Sequence, residues 1–340
     1  MINQAVVPVK KEMIQGCRKS GKYSLSCGVG QYRVVNLYDV DSLDGLNQLI
    51  GYVVFRYKDC KVLYRGLPRL HSNVLPSLYR NIFDVQHQQS RWKIVQGLIE
   101  EIRNDAKLRK TLNLRRYDNS EHRIRKMTET IIIESVLQHY GIPTRNLDAV
   151  DNHWIALWFG LHLYREEYKK SGVYAHYVRR GMGDYRYLPA DFSDDGFQYI
   201  LVMAVKTQFL FAEATEAQVI DAEAQRPLVP QIDTQQKYVN YAVDLRRILP
   251  STFLRPAAQH GWMIAPAHAT FDQKNDYANH VVCILRMKVE NVNQWMGEGG
   301  LITQGNLFPS PLLDQGYDVL LDRPDLFQDL PRQFHPRIMV

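Results

Sequence analysis

The sequence predicts an α+β fold, with a helical N-terminal half packed on a mostly antiparallel, β-rich C-terminal half. Apolar residues recur at three- and four-residue spacing in several stretches between Asp41 and Leu163, the period of helices that bury one face. Beyond Gly172 the chain turns to β-branched and aromatic runs of strand length. Few strand–helix–strand alternations occur, which argues against a doubly wound parallel sheet. With 45% hydrophobic, 23% charged and 11% aromatic residues, the chain can fill a core, and disorder over most of its length is excluded.

Residues Cys17 to Tyr32 are rich in Gly, Ser and Lys, and Val34 to Tyr38 reads as a short strand. From Asp41, an Asp/Ser cap followed by Leu43, Leu46, Leu49 and Ile50 predicts a helix. A strand over Lys61 to Arg65 runs into Gly66-Leu67-Pro68, which breaks it. Gln89 to Arg103 predicts an amphipathic helix with Trp92, Val95, Leu98, Ile99 and Ile102 on one side. A second helix is expected over Ser120 to His139, with Ile124, Met127, Ile131 and Glu134 to Leu137 in its stripe and Gly141 and Pro143 ending it. A third starts at Asp151 and carries Ile155, Ala156, Phe159 and Leu163 toward the core. The strands expected after it are Val173 to Arg179, Tyr199 to Val205, Tyr238 to Val243 and His280 to Met287. This organisation divides the chain into an extension over 1–40, one domain over 41–321 and a tail over 322–340.

The 340 residues carry 42 Lys and Arg against 36 Asp and Glu, a net charge of +6. All of that excess sits between Arg103 and Lys126, which hold nine basic and three acidic residues. A uniformly basic nucleic-acid coat is therefore excluded. No apolar run approaches the ~18 to 20 residues that span a bilayer, and Ala5 to Val9 is too short for a secretion signal. A cytoplasmic protein with no membrane partner is expected. Cys17, Cys27, Cys60 and Cys283 are scattered, as reduced thiols are. The eleven His form no H-E-x-x-H and no Cys/His cluster, so no metal is predicted. Gly28-Val29-Gly30 and Gly181-Met182-Gly183 do not complete a dinucleotide-binding G-x-G-x-x-G between a strand and a helix.

Three segments stand apart from generic core sequence. Tyr64-Arg65-Gly66 continues to Leu75-Pro76-Ser77-Leu78-Tyr79-Arg80; QHYGIPTRNLD runs from Gln138 to Asp148; and Arg255-Pro256 is followed by Ala257-Ala258-Gln259-His260-Gly261-Trp262. Together they resemble the FRG domain family, named for its (F/Y)RG motif, over roughly Leu43 to Leu321. Where that family usually has a second Leu and a Trp-Thr, this chain has Asn146 and Ala149-Val150, with the Asp148 position retained. More distantly, the order of the three motifs is similar to ADP-ribosyltransferases, and this similarity implies a split sheet with NAD bound as substrate in the cleft.

On that resemblance Arg65, with Tyr64 and Gly66, clamps the NAD pyrophosphate, Thr144 and Arg145 serve the middle motif, and Gln259 is the late polar residue. An Arg followed by Gly also suits such a clamp on its own chemistry, since the guanidinium fork binds phosphate and a missing side chain leaves room. Gln259 cannot supply negative charge to an oxocarbenium, so Asp148 or Glu134 is the candidate for that role, with His139 as a further catalytic candidate. Plainer readings stand beside these: a structural ion pair for Arg65, a helix cap for His139, mutual pairing of Arg145 with Asp148, and packing for Tyr64 and Trp262. Gln138 and Gln259 either brace backbone or touch a ligand.

Arg109, Lys110, Arg115 and Arg116 form either a solvated face or a patch for nucleic-acid phosphates. Only Tyr117 interleaves them, which gives stacking on single strands little support. The leading expectation is an NAD-dependent ADP-ribosyltransferase-like effector, a toxin or defence protein, acting on a macromolecule that includes nucleic acid among the candidates. The alternative is a non-catalytic nucleotide or nucleic-acid binding module serving as sensor or scaffold. A hydrolase built on Glu134, His139 and Asp148 lacks a clear nucleophile.

Overall fold

The computed structural model describes residues 15–27, 32–80, 82, 84–120, 122–181, 194–205, 240–266, 277–297 and 302–340. Its framework is an eight-stranded sheet whose strands come from all parts of the chain. Strands β1 (Cys17–Ser26) and β2 (Tyr32–Val40) form an antiparallel ribbon at one edge. Helix α1 (Leu43–Arg56) follows, with the Ser42 hydroxyl accepting from Gly45 N–H at its start. Leu46, Leu49, Ile50 and Val53 bury the apolar face that the spacing predicts.

Strand β3 (Lys61–Leu67) leads into helices α2 (Val85–Asn104), α3 (Ala106–Thr111) and α4 (His122–His139). Helix α2 starts four residues before the expected Gln89 because the Asp84 carboxylate accepts from the N–H groups of Gln86 and His87. Helix α4 ends in a Schellman turn: Gly141 has φ +96°, and the N–H groups of Gly141 and Ile142 bond back to the carbonyls of Gln138 and Leu137. Trp92, Val95, Leu98, Ile99 and Ile102 of α2 share one core cluster with Ile131, Ile132, Val136 and Leu137 of α4. The side chain of Ile124, expected in the same stripe, lies outside the described residues.

Strand β4 (Leu147–Val150) precedes α5 (His153–Leu161), whose Asn152 cap accepts from Trp154 N–H. Six of the nine α5 residues are buried, so the helix is apolar nearly all round and is held in the interior. It ends sooner than expected: Leu163 belongs to β5 (His162–Lys169), which pairs with β6 (Gly172–Arg179). Strands β7 (Phe197–Val205) and β8 (Asn240–Asp244) follow, then α6 (Leu245–Ile248), α7 (Leu254–Ala258) and β9 (Gly261–Pro266). Of the strand expected over Tyr238 to Val243, Tyr238 and Val239 lie outside the described residues. So do Gly28-Val29-Gly30 and Met182-Gly183. The chain closes with β10 (Val281–Lys288), α8 (Val289–Met296), α9 (Gln304–Leu307), α10 (Gln315–Leu321) and β11 (Arg337–Met339).

The large sheet has the order β1-β2-β10-β7-β3-β4-β9-β8, and the small one β11-β6-β5. Pairing is antiparallel except for β2 with β10 and β11 with β6. The mixed α+β class therefore holds, with β1 to β4 of the N-terminal half built into the same sheet as the later strands. One junction in it is weak. Strand β3 pairs with β7 over seven positions, yet it meets β4 only at Tyr64 and Val150, while β4 pairs with β9 over four. Beyond Tyr64 the strands part, and the sheet splits. Among the described residues no helix is long and apolar enough to cross a membrane.

Candidate functional site

A cavity of about 490 Å³ opens where β3 and β4 separate, and Tyr64, Arg65, Gly66, Gln138, His139 and Asp148 contribute to its wall. Arg65 Nη1 donates to the Asp148 carbonyl oxygen, which the parted strands leave without a ladder partner on the β3 side. Arg65 forms no ion pair with any carboxylate among the described residues. Burial pushes its guanidinium pKa down and the nearby Asp148 pulls against that, although an arginine remains protonated in this range. The room expected beside Arg65 has a different origin from the one its neighbour suggested. A Cβ on Gly66 would fall 1.8 Å from the Ala156 carbonyl oxygen, so this glycine admits the α5 backbone rather than a ligand.

The Asp148 carboxylate accepts from Gln138 Nε2 at 2.6 Å. Gln138 is fixed from its other end, where Oε1 accepts from Ser77 Oγ (2.8 Å), Thr144 Oγ1 (2.8 Å) and Thr144 N–H (3.1 Å). Thr144 itself is fully buried and does not reach the cavity; it braces the turn, its hydroxyl also accepting from Asn146 N–H. Arg145 does not pair with Asp148. It makes a buried, two-pronged ion pair with Glu134, Nε to Oε1 at 3.1 Å and Nη2 to Oε2 at 2.7 Å, under the Trp92 ring. Glu134 and Arg145 therefore hold α4 to the following turn inside the core, away from the cavity wall.

His139 lines the cavity and is 5% exposed. Its ring bonds to the Arg255 backbone, and its Nε2 has no partner. Burial and the Arg255 charge keep the imidazole neutral, far below its ordinary pKa. Gln259 also lines the cavity, with Nε2 donating to the Leu307 carbonyl at 2.9 Å. Trp262 closes the same side. Its Nε1 donates to Asp151 at 2.9 Å, and Lys61 Nζ sits 4.5 Å from the ring centre. Burial raises the Asp151 pKa, but hydrogen bonds from Arg246, Trp262 and Lys61 outweigh it and hold the carboxyl at about 2.

Several wall residues carried no signal at the level of motif function. His162 stacks on Trp158 at 4.0 Å, and its Nδ1 donates to the Trp158 carbonyl at 2.7 Å. Burial lowers this imidazole to about 4, so it is neutral and its tautomer is set. Tyr177 stacks on Phe308 at 5.2 Å, and both face the cavity. From the C-terminal end, Arg337 reaches in and pairs with Glu166 at 3.0 Å. Arg80 and Arg255 belong to the first and third sequence motifs, and only the fold brings them to the same wall as Arg65. In all, four arginines (65, 80, 255 and 337) and two carboxylates (Asp148 and Glu166) line the cavity. Among the described residues only Arg337 of the four is ion-paired, so the described wall carries an excess of positive charge.

The basic segment makes no part of this wall. Arg109 is neutralised by Glu129 at 2.8 Å and by Asp118, and Arg116 donates to the Ile248 carbonyl and lies over Tyr117. Lys110 and Arg115 are exposed. Positive charge gathers at the site from four separate parts of the chain instead, three elements and the turn at Arg80.

These features define an α+β protein with an arginine-rich cavity at a split in its main sheet. Residues 60–169 carry an FRG domain, whose family model matches that span. The span runs from β3 to the end of β5 and supplies Arg65, Arg80, Gln138, His139, Asp148, His162 and Glu166. Arg255, Gln259, Trp262, Phe308 and Arg337 come from beyond it. No curated protein and no solved structure matches the chain.

Proposed function

We propose that the cavity binds a nucleotide of the NAD class and that the protein is an ADP-ribosyltransferase-like enzyme. The observation that supports this is the excess of unpaired arginine around an aromatic-walled cavity of about 490 Å³, a volume within the range of nucleotide-sized ligand sites. In this reading Arg65 and Arg80 are the phosphate clamp: each donates to a backbone carbonyl, neither is ion-paired among the described residues, and a guanidinium fork suits phosphate oxygens. Tyr177, Phe308 and Trp262 offer faces for a base or nicotinamide ring.

In this reading the glycosidic bond between nicotinamide and ribose breaks with its electron pair leaving on nicotinamide. The oxocarbenium that remains needs a carboxylate, and Asp148 is the better placed of the candidates because Gln138 fixes it at the cavity wall. An acceptor nucleophile then bonds to the ribose carbon and loses its proton. Incubation with labelled NAD should release nicotinamide, and Arg65→Ala and Asp148→Asn should abolish the release. Absence of both nicotinamide release and any NAD-induced thermal shift would reject the proposal.

A second reading, a nucleotide-binding module without catalysis, is favoured by one observation: the Gln259 amide is neutral and bonded to Leu307. It predicts NAD binding with no turnover in the presence of any macromolecular fraction.

A further inference from the structure

Arg255 is 9% exposed, and neither its Nε nor its Nη1 has a hydrogen-bond partner. No carboxylate pairs with it among the described residues. Asp314, the carboxylate that organises the same segment, accepts from Tyr140 OH and from the N–H groups of Leu254, Arg255 and Gly316. What the guanidinium has instead is aromatic: Phe308 at 4.7 Å and Tyr140 at 5.5 Å. The ring contacts offset part of the cost of burying the charge but supply no acceptor oxygen to Nε and Nη1, and an unpaired buried charge is costly.

Beside it, His139 presents the complementary defect. Its Nε2 is buried and unpartnered on a neutral ring, so it offers a lone pair and asks for a donor. Both side chains are at least nine-tenths buried, and both line the cavity. They therefore ask for one chemical group that brings anionic oxygens to Arg255 and a hydroxyl donor to His139.

We propose that Arg255 and His139 form a second subsite of the cavity, one that takes a phosphate monoester on a ribose whose neighbouring hydroxyl is free. The inference rests on the nucleotide reading above and narrows it: the ligand bears a 2′- or 3′-phosphate in addition to the phosphates held at Arg65. Arg65 neighbours Arg80 and Asp148, Arg255 neighbours His139, and Tyr177 is the ring that feels both arginines. Phe308 lies under Arg255 and stacks on Tyr177, so flat aromatic surface adjoins Arg255.

The test compares three ligands by isothermal titration at pH 7.5: 5′-AMP, adenosine 3′,5′-bisphosphate and its 2′-deoxy analogue. The bisphosphate should bind the wild-type protein about tenfold or more tightly than 5′-AMP, as expected for added hydrogen bonds to a charged group. Arg255→Met should remove that advantage and leave 5′-AMP binding within about twofold, and Arg255→Lys should restore part of it. His139→Leu should erase the preference for the ribose form over the deoxy form. Equal wild-type affinity for 5′-AMP and the bisphosphate overturns the proposal, as does a tenfold advantage that survives in a folded Arg255→Met protein. If no nucleotide binds but inorganic phosphate raises the wild-type Tm and not that of Arg255→Met, the anion subsite stands and the nucleotide reading falls. If neither nucleotide nor phosphate has any effect, both fall.

Discussion

Glu134 and Arg145 are each about 1% exposed, and the carboxylate satisfies both the guanidinium and the Arg145 N–H. Glu134→Leu strands a buried charge, so urea denaturation should show a loss of about 3 to 5 kcal/mol. A loss near zero would mean that the pair is solvated. The neutral histidines set a pH dependence of the opposite kind to that of a paired histidine. His139 has a folded pKa far below 6.5, and His162 and His280 fall to about 4, chiefly through burial. The unfolded chain therefore binds more protons than the native one below about pH 6.5, and stability falls as the pH drops from there toward 4. Above that window these groups contribute no slope. Urea midpoints between pH 4 and 8 check the prediction, and His162→Phe should make the acid limb shallower.

At the level of elements, the contact that decides the cavity floor is the seating of α5 on β3. Gly66→Ala would drive its methyl into the backbone oxygen of Ala156, which cannot rotate away. We expect it to cost about 2 kcal/mol or more and to disturb the strand that carries Arg65. Gly97 is the control. It is exposed in α2 with nothing within 4 Å of an added Cβ, so Gly97→Ala should stabilise by about 0.5 to 1 kcal/mol. Equal effects at the two glycines in thermal melts would contradict the packing described.

For the whole molecule, the cavity needs both ends of the chain length between β3 and β11. Arg337 and Met339 enter its wall from the last strand, held by β6 and by Arg337 N–H bonding to the Tyr140 carbonyl. Removing residues 332–340 should unpair Glu166, open that side and abolish a ligand-induced thermal shift seen with the full chain. Neutralising Lys110 and Arg115, by contrast, should leave that shift unchanged, because neither lines the cavity. Loss of the shift in the Lys110→Gln/Arg115→Gln protein would connect the basic segment to the site after all.

Much of this architecture is legible one element at a time. The helices over α1, α2 and α4, the strands of the C-terminal half and the three motifs follow from local spacing, capping residues and β-branched runs. Arg65, Gln138, His139, Asp148 and Gln259 can be singled out because they sit in those motifs. The rest depended on contacts with no local signature. Glu134 rather than Asp148 meets Arg145 because a helix turn later the chain folds back under Trp92, and Arg337 meets a glutamate 171 residues away. The net charge of +6 could be assigned by sequence to one segment, but only the tertiary structure decided which positive charges matter at the site. In the segment, acidic neighbours are close enough to cancel Arg109; in the cavity, Arg255 is buried and, like Arg65, has no ion pair among the described residues.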